Sequence, residues 1–126
     1  MNSAEVFTRW VAAINSHDVV GLTGLMTADH AFVDSLGNRA HGAQSMEAGW
    51  RGYLRCVQTT GFAGGDHVMA ADDTVLAAGE AGGTIDGESW RTPAAWKAVI
   101  RDGRVVEWHV FADNKPVYEI LGERRQ

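Results

Sequence analysis

The sequence is most informative first in what it lacks. It has one cysteine, Cys56, which excludes an intrachain disulfide and a cysteine-rich metal centre. It has two prolines, Pro93 and Pro116, and no repeat, linker or low-complexity segment. No apolar stretch approaches the ~18 residues that a membrane span requires. The start, Met1-Asn2-Ser3-Ala4-Glu5, carries no positive charge and no apolar run behind it, unlike a signal peptide. Basic residues are in deficit: Lys plus Arg is 11 against 16 for Asp plus Glu, a net charge of -5. A basic footprint is what nucleic acid and anionic membrane select, so neither is expected as a partner. No pair of histidines has metal-ligand spacing, so no metal site is expected. These absences leave a cytoplasmic, soluble protein as the expectation.

What is present fits one domain over residues 1–126. Hydrophobic residues make up 45% and charged residues 21%, proportions that build a core instead of a disordered chain. A domain of this length buries roughly two-thirds of its unfolded surface. Five tryptophans stand beside fifteen glycines. Trp fills space and Gly leaves it, and the combination asks where each is placed.

Val6, Phe7, Trp10, Val11 and Ile14 recur at helical spacing, with Ser3 a candidate N-cap and Glu5 in the first turn. Asn15-Ser16-His17-Asp18 ends that helix, and Asp18 caps a second carrying Val19, Leu22, Leu25 and Met26. Ala31 to Asp34 reads as a short strand and Ser35-Leu36-Gly37-Asn38 as a turn. Gly42 precedes a third helix with Met46, Trp50, Tyr53, Leu54 and Val57 on one face. Thr59 to Gly65 reads as a flexible connector. Strands follow over His67–Ala71, Thr74–Ile85, Trp90–Ile100 and Val105–Ala112, joined by turns at Asp72-Asp73, Asp86-Gly87 and Asp102-Gly103. Pro93 cannot donate to a ladder and marks an edge or bulge. The charged tail Glu123 to Gln126 is expected to fray. Helices first and hairpin-linked strands after them predict an α+β fold: three N-terminal helices packed on the concave face of a curved, mainly antiparallel sheet, a cone-like α+β barrel enclosing an apolar cleft.

Trp10-Val11-Ala12-Ala13-Ile14-Asn15 leading to Asp18, then Ala31-Phe32-Val33-Asp34, Gly42 before helix three, and the end Arg101 to Trp108 with Phe111-Ala112-Asp113 carry a resemblance across nearly the whole chain. In order and spacing they resemble the nuclear transport factor 2-like superfamily, in particular its SnoaL-like (polyketide cyclase-like) and ketosteroid isomerase-like members. The resemblance implies a cone-shaped pocket, homodimers, and chemistry without a cofactor: isomerisation, cyclisation or dehydration. It places Asp34 where ketosteroid isomerase-like proteins keep a general base, able to move a proton beside a carbonyl. It also shows departures. The oxyanion-hole Tyr falls on Trp10, and the protonated Asp on Trp96 if the Asp102-Gly103 hairpin is one residue shorter. An indole N–H donates but is no acid. The last-strand carboxylate of limonene epoxide hydrolase-like members falls on Val110.

Hairpin register decides which side chains share the pocket. A two-residue loop at Asp102-Gly103 sets Trp96 beside His109, with Glu107 and Phe111 on the same face. A three-residue loop with a bulge at Gly103 sets Trp96 beside Trp108, joined by Ala98, Ile100, Val110 and Ala112. The second gives one apolar face and is the favoured register. Lys97, Glu107, His109 and Phe111 then form an outer face suited to a homodimer. The catalytic candidate is Asp34. The substrate-binding candidates are Trp10, Trp50, Tyr53, Trp96, Trp108 and Val110, with Gly79, Ala81 and Gly83 leaving room opposite the rings. The expected ligand is a small apolar molecule, a carbonyl or enol substrate on which Asp34 moves a proton, and the alternative is a non-catalytic binding or dimerising module. Asp34-Ser35-Leu36-Gly37 also fits a type I turn in which the carboxylate only caps. His17, His30 and His41 read as surface or capping residues, and Cys56 as a small buried group.

Overall fold

Amphipathic stripes and alternating strands resolve into three helices and six strands among the residues that can be described. The structure, a computed structural model, describes residues 2–56, 59–113, 115, 119 and 120, with backbone alone at 56 and over 59–66. Val57, the Cys56 side chain, Pro116 and the tail from Glu123 lie outside these residues.

Helix α1, Ser3–Asn15, turns Val6, Phe7, Trp10, Ala13 and Ile14 inward. Its N-cap is Asn2 and not Ser3: the Asn2 carboxamide oxygen accepts from the Glu5 N–H at 2.8 Å. Ser3 instead donates to the Asp72 carbonyl, tying the helix start to a sheet turn. Asp18 caps α2, Val19–Gly24, by accepting from the Gly21 N–H. Leu25 and Met26 leave that helix, because β1 runs over Met26–Val33 and is longer than the expected strand. A short β2, Arg39–His41, pairs back on β1 and has no signal in the sequence pattern. Helix α3 spans Ala43–Cys56.

Strands β3 (Thr59–Ala71), β4 (Thr74–Ile85), β5 (Glu88–Arg101) and β6 (Arg104–Ala112) form an antiparallel meander. Thr59 to Gly65 is therefore strand and not connector. Glycines weaken a strand, but β4 offers a partner along its whole length, with one register break between Ala63 and His67. The sheet order is β2-β1-β6-β5-β4-β3, with β1 parallel to β6 and every other pair antiparallel. The sheet is curved but open, so the barrel of the expectation does not close.

The Asp102-Gly103 hairpin has two loop residues, both at positive φ, as a type I′ turn requires. That much matches the disfavoured loop. A bulge nevertheless lies one step up the ladder: Ile100 pairs with Val105 but Val99 pairs with Glu107, leaving Val106 extra. The bulge restores the favoured faces. Trp96 sits across from Val110, Ala98 from Trp108 and Ala94 from Ala112. Lys97, Glu107, His109 and Phe111 lie on the outer side, where Glu107 pairs with Lys97 at 3.1 Å and Arg39 at 3.4 Å. Burial works to raise the Glu107 pKa, but these two cations outweigh it and hold the carboxyl below its ordinary range.

Helices α1 and α3 cover the inner face, and α2 packs against both of them. Trp10 and Trp108 are at most 1% exposed and their rings lie 5.6 Å apart, with Phe7 at 6.0 Å from Trp108. Each inward Trp of the sheet faces a small cross-strand partner: Gly83 opposite Trp90, Ala77 opposite Trp96, and Ala98 opposite Trp108. Tryptophan and small residues are thus placed in pairs, which keeps the strands in register while leaving space above the small residues.

Candidate functional site

That space is a cavity of about 380 Å³ between the helices and the inner sheet face. Four tryptophans line it: Trp50 from α3, Trp90 and Trp96 from β5, and Trp108 from β6. Tyr53 and Val110 line it as well, as does Asp34 at the end of β1. Of the expected small residues, Ala81 lines it, joined by Gly82.

Trp10 does not. It lies behind the cavity, wholly buried against Trp108 and His30, and its N–H finds no acceptor among the described residues. Helix α1 passes too deep for that ring to reach the open space, so its part is in the core. His30 corrects a second expectation. It is fully buried in β1, not a surface or capping residue, and its Nδ1 is 2.8 Å from the Val105 carbonyl. A carbonyl only accepts, so Nδ1 carries the proton. Burial, outweighing that bond, pushes the His30 pKa down and keeps the ring neutral.

Asp34 has two attachments. Its Oδ1 accepts from the backbone N–H groups of Leu36 and Asn38, each at 2.9 Å, and its Oδ2 from the Asn38 side chain at 3.0 Å. Partial burial works to raise its pKa, but the donors of Asn38, Leu36 and Gly37 win and hold the carboxyl below its ordinary range. The Asp34 carboxylate therefore caps its turn, and the residue also lines the cavity. A general base works best with a raised pKa, so the same donors that keep this carboxyl ionised also weaken it as a base. Next to it, Ser35 accepts from the Ala112 N–H at 3.1 Å, which stitches the turn to the end of β6. Burial raises the Tyr53 pKa, so its phenol stays protonated.

The sequence reading omitted Phe32, Ser35, Trp90 and Thr92 from the wall. Three of these had a usable signal. Trp90 and Thr92 share the parity of Trp96 along β5, and Phe32 shares that of Asp34 along β1. Ser35 had none, because its place depends on a contact with a strand 77 residues away. Among the described residues no group of three or more His, Cys, Asp and Glu is gathered as a metal site, and no helix is long and apolar enough to cross a membrane. His109 stacks on Phe111 at 4.0 Å on the outer face, away from the cavity. Asp113 accepts from the Lys115 N–H and does not line the cavity either.

The three-helix, open-sheet architecture with a pocket under the helices matches a family. The SnoaL-like domain model matches residues 7–108, so the chain belongs to the SnoaL-like family. Solved structures agree on the fold. A protein from Shewanella denitrificans OS-217 assigned as a SnoaL-like polyketide cyclase superposes with a TM-score of 0.85 at 16% identity, covering 96% of this chain and 97% of that one. One from Pseudomonas putida KT2440 assigned as a polyketide cyclase gives 0.80 at 21% identity, covering 94% and 97%. A ketosteroid isomerase-like fold from Catenulispora acidiphila DSM 44928, in complex with trimethylamine, gives 0.76 at 21%, covering 84% and 83%. No curated protein sequence matches the chain.

Proposed function

We propose that the chain binds a small, largely apolar, ring-containing molecule in its Trp-lined cavity. The observation that carries this is the cavity itself: about 380 Å³ walled by Trp50, Trp90, Trp96 and Trp108, with few polar groups. Space of that size and lining is what small-molecule sites offer. A second reading adds chemistry. Asp34 would act as base in an isomerisation, cyclisation or dehydration of a carbonyl or enol compound, with no cofactor needed. Its support is the position of Asp34 in the wall and the assignment of similar folds as polyketide cyclases.

Two variants separate these readings. Ala112→Trp places an indole into the cavity and should weaken binding of 1-acetylnaphthalene, followed by calorimetry, at least about tenfold. Equal binding by the variant and the parent sinks the ligand reading. Asp34→Asn should lower turnover of a true substrate by ~10²–10⁴ if the base reading holds. Unchanged turnover removes the base and leaves the binding site.

The outer sheet face supports a homodimer. Met69, Leu76 and Phe111 are exposed on it, the first at 70%, and none of the described helices covers them. Exposed apolar area of this kind favours association with a second copy. Light scattering at micromolar concentration should give the mass of two chains, and a monomer mass rules the interface out.

A further inference from the structure

We propose that the cavity recognises an alkylammonium group, a substituted amine bearing positive charge, held by the rings of Phe32, Trp50 and Tyr53 beside the Asp34 carboxylate. The proposal rests on the cavity being a ligand site and names what that site selects.

Ring geometry is the first support. Trp50 stands at 88° to Phe32, with centroids 6.3 Å apart, and at 88° to Tyr53, with centroids 5.8 Å apart. All three line the same cavity. Rings at right angles close around a rounded, alkylated cation, and the negative π surface attracts it. Charge is the second. Among the described residues Asp34 is the single charged one lining the cavity, and no Lys, Arg or His joins it there. An anionic ligand would meet that carboxylate and a chain of net charge -5. A pure hydrocarbon would cover the carboxylate and strip its water without replacing it. A cation compensates the charge that it covers.

The third support is what the tryptophans do not offer. The N–H groups of Trp50 and Trp90 are buried, out of reach of a ligand in the cavity, and have no acceptor among the described residues. The cavity therefore meets these residues as carbon rings and not as hydrogen-bond donors. That suits a group bound by charge and ring contact more than a carbonyl seeking a donor. In this role Asp34 exchanges no proton. Its turn bonds to Leu36 and Asn38 hold it in place as a fixed charge.

The test uses two probes of one shape. Phenyltrimethylammonium and tert-butylbenzene differ by nitrogen in place of one carbon, hence by one charge. Calorimetric titration of the full chain should show the cation bound about tenfold more tightly. Asp34→Asn should abolish most of that preference, since the amide oxygen still accepts from the turn but carries no charge. Tyr53→Leu, at a ring 39% exposed, should reduce it too and decides the matter if Asp34→Asn melts well below the parent. Equal binding of both probes, or tighter binding of the hydrocarbon, overturns the ammonium proposal and leaves the ligand site standing. Binding of neither probe overturns both.

Discussion

Trp10→Ala should lower the folding stability by about 3–5 kcal/mol, the range for emptying a large aromatic site in a packed core. Trp10 is 0% exposed and touches both Trp108 and His30, at ring distances of 5.6 and 5.4 Å. The void would open where helix α1 meets the sheet. Walls on one side are strands locked by ladders, so they relax little. The lost N–H matters less, because it has no acceptor to forfeit. Trp90→Ala is the control. Trp90 already borders empty space and is only half-buried, so its loss should cost distinctly less stability. Urea unfolding followed by far-ultraviolet circular dichroism measures both. If the Trp10 variant unfolds within about 1 kcal/mol of the parent, the division between core and wall tryptophans is wrong.

That division marks the limit of what the sequence shows. Local signals were legible: the stripe of α1, the Asp18 cap, the bounds of β4, and the Asp-Gly turns all follow from short-range chemistry. The face of Trp96, Trp108 and Val110 was legible too, because only one parity makes it apolar. Three things were not. Trp10 and Trp50 look alike as inward helix residues, and how deep each helix sits is set by packing between distant elements. His30 seemed to lie at an element's end because the strand signal begins at Ala31, whereas Val105 extends the ladder to Leu25 with a bond of 2.6 Å. Asn2 and Ser3 both have capping side chains, and only the pull of Asp72 on Ser3 assigns the cap to Asn2. For Asp34 a turn cap and a general base were both visible in advance; the structure shows the cap and sets the residue in the cavity lining, and the base stays a proposal.

Gly82→Ala should cost about 1–3 kcal/mol, the range for overpacking a well-fitted site, although the residue lies in a strand where alanine is ordinarily harmless. A Cβ at Gly82 would come within 2.7 Å of the Trp90 carbonyl oxygen. Backbone cannot turn aside as a side chain can, so β4 and β5 must separate there. Gly82 faces Arg91 in the ladder, next to the pairing of Gly83 with Trp90. The strain therefore falls on a tryptophan of the cavity wall. Thermal unfolding should show the loss, and affinity for 1-acetylnaphthalene should weaken with it. A variant as stable as the parent and binding as well would show that the close approach is not needed. Gly52→Ala, where nothing lies within 4 Å of the added carbon, is the matched control, and as a helix position it should gain slightly.

Val106 carries a different consequence. It is the one residue of β6 without a partner across the Asp102-Gly103 hairpin. Everything after it is turned over relative to an uninterrupted ladder. Were the ladder to close with Val106 paired to Val99, inside and outside would exchange along the rest of the strand, presenting Glu107, His109 and Phe111 to the interior and Trp108 and Val110 to solvent. Removal of Val106 itself leaves Val99 opposite Glu107 and Ala98 opposite Trp108, so the inward face survives its loss. The identity of the pocket is thereby tied to the strand's ability to absorb a surplus residue at this point, and lineages that lack that residue would keep the same cavity wall on a regular hairpin.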